Sequence, residues 1–255
     1  MIKFFRKIRY DLMEKNKTGK YFKYAIGEIV LVVIGILIAL SINNWNEERQ
    51  QNSKTESLIA GLKKQTEENL VTTNWNIEQT KQVNKNIASL LLMFGKPIEK
   101  SQYNNIDSLV NRISFDFYIY LNLNTLQEAQ DNGEISFIKN DSLKSLLYNI
   151  SSISRLIKER EKVINNDKNT YLVPFLYQNI NRKNVQTNTN EKLKNKIGES
   201  LLNKNDYSIL LTNTKFENLV LSRYNYSDDM IGIYESLKRF LNSLIELLEQ
   251  ESLSK

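Results

Sequence analysis

The residues that come nearest to a chemical site are carboxylates in pairs. Asp228 and Asp229 lie in "SDDM", and Asp131 and Glu134 lie in "DNGE". Paired acids can hold a divalent cation, but "DNGE" lacks the further oxygen ligands of a calcium loop. Its Gly133 suits the left-handed residue that closes a helix, which is the simpler reading. Asp228 and Asp229 are expected on a solvated helix face. The chain has no histidine and no cysteine, so the commonest general base and the thiolate nucleophile are both missing. No phosphate-cradling glycine loop and no GxSxG elbow occurs. Seven tyrosines (Tyr118, Tyr120, Tyr171, Tyr177, Tyr207, Tyr224 and Tyr226) could line a ligand groove, although aromatics at helical spacing usually belong to a core. The expectation is a chain with no catalytic residues, no cofactor and no metal.

The other chemically notable residue is Glu28, a carboxylate inside an apolar run. From Ala25 to Ile42 it is the one charged side chain. Eighteen residues of helix span about 27 Å, close to the apolar thickness of a bilayer. Tyr21, Phe22 and Tyr24 precede the run and Trp45 follows it, as aromatic interfacial anchors do. This pattern predicts a membrane helix at residues 21–44. A soluble core helix of this length would seldom be so uniformly apolar. A cleaved signal peptide is the closer competitor, since Ala39 and Ser41 form a small-x-small pair. The long basic start, the full bilayer length and the polar helix that follows without a break favour an uncleaved anchor. Glu28 lies about a turn inside the run, where snorkelling can relieve its cost. It shares a helix face with Gly35 and Ala39, a small-xxx-small pair that lets helices approach closely. Glu28, Gly35 and Ala39 are therefore the candidate residues for membrane-helix association.

Charge sets the expected orientation. Residues 1–24 carry eight basic and two acidic groups, which accounts for the whole net charge of +6, and the remainder is neutral. A nucleic-acid partner would call for a basic face on the folded body, so none is expected. A basic flank beside an apolar run is instead held on the cytoplasmic side. Residues 1–20 are read as a cytoplasmic or interfacial segment. Phe4, Phe5, Ile8, Leu12 and Met13 recur there at the spacing of a helix lying on an anionic leaflet. Residues 45–255 then form an extracytoplasmic domain, periplasmic in a bacterium with its anchor in the inner membrane.

That domain reads as all-α. Only Pro97 and Pro174 interrupt it. Residues 45–94 form one long helix, with a heptad row at Ile59, Thr66, Thr73, Thr80, Ile87 and Phe94 and a companion at Leu70, Ile77, Asn84 and Leu91. Its polar middle points to packing in a bundle rather than a self-sufficient coiled coil. "FGKP" ends it at Gly95. "ISFDFYIYLNL" has strand character without a partner strand, and is read as an irregular aromatic link between short helices. "NTLQEAQDNG" gives a short helix closed at Gly133. An amphipathic helix capped by Asn140 or Asp141 then buries Leu143, Leu146, Leu147, Ile150, Ile153, Ile157 and Ile164. It is expected to run toward residue 181, bent or broken at Pro174. Residues 181–195, "NRKNVQTNTNEKLKN", read as a flexible polar linker. The last helix, about 214–252, carries one row at Phe216, Arg223, Met230, Leu237 and Leu244 and another at Leu219, Tyr226, Ile233, Phe240 and Leu247.

The stretch "AIGEIVLVVIGILIALSINNWNEER", preceded by "FFRKIR", resembles the N-terminal signature of an uncharacterised family of bacterial single-pass membrane proteins. The pattern AIGEIxLVVIGILIALxINNWNEER is specific across residues 1–50. A looser likeness covers "LNTLQEAQDNGEISFIKNDSLKSLL" and the C-terminal helix. The resemblance implies an N-terminal anchor followed by a helical domain and brings no catalytic residues. Three functions fit these features. One is a membrane-anchored scaffold, adaptor or assembly subunit of the cell envelope, with the lipid bilayer and a protein partner or second copy contacted through helical faces. A second is a single-pass sensory module that binds a small ligand in its bundle. A third is an envelope enzyme using carboxylate, Lys, Ser or Tyr side chains, which the absent constellation disfavours.

Overall fold

The computed structural model describes residues 6, 10, 18–202 and 205–253, except the side chains of Thr18, Lys20, Tyr21 and Tyr24. The expected interfacial helix over the basic N-terminal segment lies outside the described residues. The chain divides into two compact units, residues 1–57 and 58–255. Every described element is helical. Helix α1 is Thr18–Leu91, and its residues 58–91 belong to the second unit. There follow α2 (Tyr103–Arg112), α3 (Asn124–Asp131) and α4 (Asp141–Asp167). A π turn, Lys168–Leu172, joins α4 to α5 (Val173–Asn179). Then come α6 (Arg182–Thr189), α7 (Glu191–Ile197), α8 (Tyr207–Leu210) and α9 (Thr214–Leu253).

In the first unit the apolar run is one uninterrupted helix. Its most apolar 18-residue window has a mean hydropathy of 2.8, and none of that window is buried within the protein. A helix that served as a soluble core would be covered, so by length, composition and exposure this one can cross a membrane.

The second unit is built on three long helices. Residues 58–91 of α1 run antiparallel to α9, as the ion pairs Lys63–Glu249 (2.7 Å) and Lys81–Glu235 (2.9 Å) show. Helix α4 is also antiparallel to α9, with Arg160 pairing Asp229 at 2.7 Å and Glu251 accepting from the Lys139 N–H at 2.9 Å. Asp229 thus serves an interhelical ion pair on an exposed face. The predicted row Phe216, Arg223, Met230, Leu237 and Leu244 is buried throughout. Its true companion is Val220, Ser227, Tyr234, Leu241 and Leu248, and the row Leu219 to Leu247 flanks the core half-buried. On α1 the companion is likewise rotated, to Leu62, Asn69, Asn76, Val83 and Leu90, with Ile77 buried beside it. Hydrophobicity alone misplaced the companion row on each helix, because the buried companions contain Asn and Ser that hydrogen bonds make tolerable.

The threonine centre of α1 is satisfied within its own helix. Thr66, Thr73 and Thr80 are buried, and each donates to the carbonyl four residues earlier at 2.7, 2.8 and 2.7 Å. The amide side chains between them reach outward to the link after α2. Asn69 accepts from the Asn122 N–H at 2.8 Å and donates to the Asn122 carbonyl at 2.7 Å. Gln65 accepts from the Thr125 N–H at 2.6 Å. From α4, Asn165 makes the same two-way pairing with Phe117, at 3.1 and 2.7 Å. Each amide thereby takes the place of a neighbouring strand, so residues 115–123 are neither helix nor sheet and still bury Phe117, Ile119 and Leu121. This explains strand character without a sheet.

Arg223 anchors the start of the link. It is fully buried and donates to the carbonyls of Ile113 (3.2 Å), Phe115 (2.6 Å) and Ile164 (3.5 Å), with its guanidinium 4.9 Å from the Phe117 ring centre. Burial pulls its pKa down to about 10, so it remains a cation near neutral pH. Together with Thr80 and Ser227 it forms a polar waist between two apolar clusters. Glu161 holds the middle of the link, accepting from the Ile119 N–H at 2.8 Å and the Tyr234 hydroxyl at 2.6 Å.

Helix punctuation follows the expected chemistry. Gly95 and Gly133 both have φ +71°, and the Gly95 N–H donates to the Leu211 carbonyl at 3.0 Å. Asn140 caps α4 by accepting from the Leu143 N–H. Pro174 neither breaks nor ends the helical run: it sits in the first turn of α5, and the π turn before it absorbs its missing donor. The expected linker at 181–195 is instead α6 and α7. Asn181 and Asn190 cap them, and Asn184, Val185 and Thr187 are buried, α6 packing on α2. Caps and tertiary burial outweigh a polar composition here.

Candidate functional site

Glu28, Gly35 and Ala39 lie on one helix, and steps of seven and four residues keep them on one face. A Cβ added at Gly35 would meet no atom within 4 Å, so that face is open to a closely approaching helix. Phe22 and Trp45 are both 63 % exposed, and Trp45 lies under the Arg49 guanidinium at 5.9 Å. The side chains of Tyr21 and Tyr24 lie outside the described residues.

In the second unit a polar concavity lies between α2 and α6, closed by residues that precede α8 and by Tyr207 at its start. Its volume is about 600 Å³. Asp107 stands on its wall, only 2 % exposed. One of its oxygens accepts from the Tyr207 hydroxyl in a very short hydrogen bond, and the other accepts from Asn188 Nδ2 at 2.7 Å. Burial beside this carboxylate holds the Tyr207 phenol far above its usual range, so it stays a donor. Asn205 donates to the same hydroxyl oxygen at 3.1 Å. The Tyr103 ring meets Tyr207 edge-on at 5.1 Å. Asp206 lies below the usual carboxylate range, chiefly through the hydrogen bond from the Ser208 hydroxyl. Lys194 pairs with Glu199 at 2.6 Å, and Lys100 completes the charged lining.

This cleft was not legible as a motif. Asp107 and Tyr207 are separated by 100 positions, and Asn184 and Asn188 fall in the stretch expected to be a linker. Of the seven tyrosines considered for a groove, only Tyr207 lines the cleft. Tyr118, Tyr120, Tyr171 and Tyr177 are exposed, and Tyr224 and Tyr226 pack half-buried against the core. Among the described residues no three metal-ligating side chains gather into a cluster.

No curated protein and no solved structure matches the chain. Residues 28–116, which include the predicted association face and α2 with Asp107, match the model of a family of unknown function, DUF6090.

Proposed function

We propose that the chain is a membrane-anchored helical scaffold or assembly subunit of the bacterial cell envelope, without catalytic activity of its own. The observation that carries this reading is the exposed apolar helix, with a mean hydropathy of 2.8 and no burial. In water, an uncovered run of this kind would aggregate; in lipid it is satisfied. The concentration of net positive charge in residues 1–24 supports a cytoplasmic N-terminus. Residues 45–255 would then lie outside the cytoplasm and present helical faces to a protein partner or a second copy. The open face at Gly35 supports association within the membrane.

Two experiments test this reading. A reporter enzyme active only outside the cytoplasm, fused after Lys255, should be active; a reporter active only inside would then be silent, and the opposite result rejects the orientation. Crosslinking in native membranes should capture a protein partner or a second copy, and recovery of monomer alone rejects the scaffold role.

A second reading, a single-pass sensory module, is favoured by the polar cleft at Asp107. Recovery of the purified chain with a metabolite bound there, and without a protein partner, would support it over the scaffold.

A further inference from the structure

We infer that the cleft between α2 and α6 is a binding site for a neutral, polyhydroxylated ligand of the carbohydrate class. Its size suits a disaccharide: about 600 Å³ lies within the usual range of small-molecule sites. Its electrostatics point away from ions. The lining carries Asp107, Glu199 and Asp206 against Lys100 and Lys194, which leaves it nearly balanced. Most of that charge is already engaged. Both oxygens of Asp107 accept hydrogen bonds, Asp206 accepts from Ser208, and Lys194 pairs with Glu199. An anion would meet three carboxylates, and a cation would meet two lysines.

What the cleft offers instead is amide chemistry. Asn184 is only 9 % exposed; its Oδ1 accepts from the Ser200 N–H at 3.2 Å, and its Nδ2 has no partner among the described residues. The Asn104 side chain is likewise without a partner there, and Asn188 has its carbonyl oxygen to spare. An amide presents a donor and an acceptor side by side, and a hydroxyl is both at once. Several hydroxyls on one rigid ring match several such pairs without bringing any charge. The Tyr103 ring supplies an apolar wall for the C–H face of a sugar.

The full chain, reconstituted in phospholipid nanodiscs free of glycosidic detergent, is the material for the test. Cellobiose, maltose and diacetylchitobiose are titrated by calorimetry and by saturation-transfer NMR, with spermidine and inorganic phosphate as charged comparators. At least one disaccharide should bind with a Kd of about 1 mM or tighter. Asn104→Ala and Asn188→Ala alter exposed side chains and should each weaken it about tenfold, the loss of one or two hydrogen bonds, with an unchanged circular dichroism spectrum. The inference is overturned if a folded chain binds none of the three at about ten times that concentration. Spermidine or phosphate binding in preference, or both variants binding as tightly as the parent, would overturn it equally.

Discussion

Replacing Arg223 with methionine should unfold the second unit far more easily than the loss of one long side chain suggests. Arg223 is fully buried and closes two good hydrogen bonds, to Phe115 at 2.6 Å and Ile113 at 3.2 Å, with a third at the 3.5 Å limit to Ile164. Methionine of similar length fills much of the space but leaves those carbonyls without donors. Hydrogen bonds from a charged group contribute about 1.5–3 kcal/mol each, so the two good ones sum to about 3–6 kcal/mol. Relief from burying a guanidinium offsets part of this, giving an expected loss of about 3–5 kcal/mol. That is a large share of the roughly 5–15 kcal/mol that holds a domain folded. Arg223→Lys keeps the charge but can reach only one or two of the acceptors, and should fall between parent and Arg223→Met. The assay is urea unfolding of the detergent-solubilised full chain, followed by circular dichroism. Amide exchange should show residues 113–123 losing protection first, because Arg223 holds the start of that link. A midpoint for Arg223→Met equivalent to a loss under about 1 kcal/mol would show that the guanidinium does not organise the link, and would refute the reasoning.

Burial raises the Glu161 pKa, against the opposing hydrogen bonds from Tyr234 and Ile119. A raised folded-state pKa means stability is fullest below the ordinary glutamate range and is lost as pH rises through the shifted value. Glu161→Gln, whose oxygen can still accept from both donors, should flatten that part of the pH–stability curve measured by thermal unfolding. Glu161→Ala leaves the Ile119 N–H and Tyr234 O–H unpaired and should cost about 2–4 kcal/mol at neutral pH, so equal stability of the two variants contradicts the assigned contacts. Gly95→Ala should lose about 1–2 kcal/mol by unfolding midpoint from φ +71° alone, since a Cβ there meets nothing within 4 Å. Limited proteolysis should cut first within residues 198–202, where Leu201 and Leu202 are largely exposed, and not within 181–195, with the sites read by mass spectrometry.

What the sequence alone determined is whatever depends on neighbours along the chain. The apolar run at Ala25–Ile42, the helix stops at Gly95 and Gly133, the Asn140 cap and the buried row from Phe216 to Leu244 all follow from local composition and period. These signals act over a turn or two, so they are visible in one dimension. The tertiary structure decided where polarity may be buried. Asn69, Asn165 and Glu161 read as surface residues, and Arg223 as a polar member of a buried row with no visible acceptor, until residues 113–123 are laid against them and their hydrogen bonds are made. For the same reason the companion seams are rotated, the polar stretch 181–195 is helical with α6 packed on α2, and Asp107 meets Tyr207 across 100 positions to form the cleft. Burying a polar group is unfavourable alone and acceptable when paired, and its partner here lies far along the chain, where no local pattern records it.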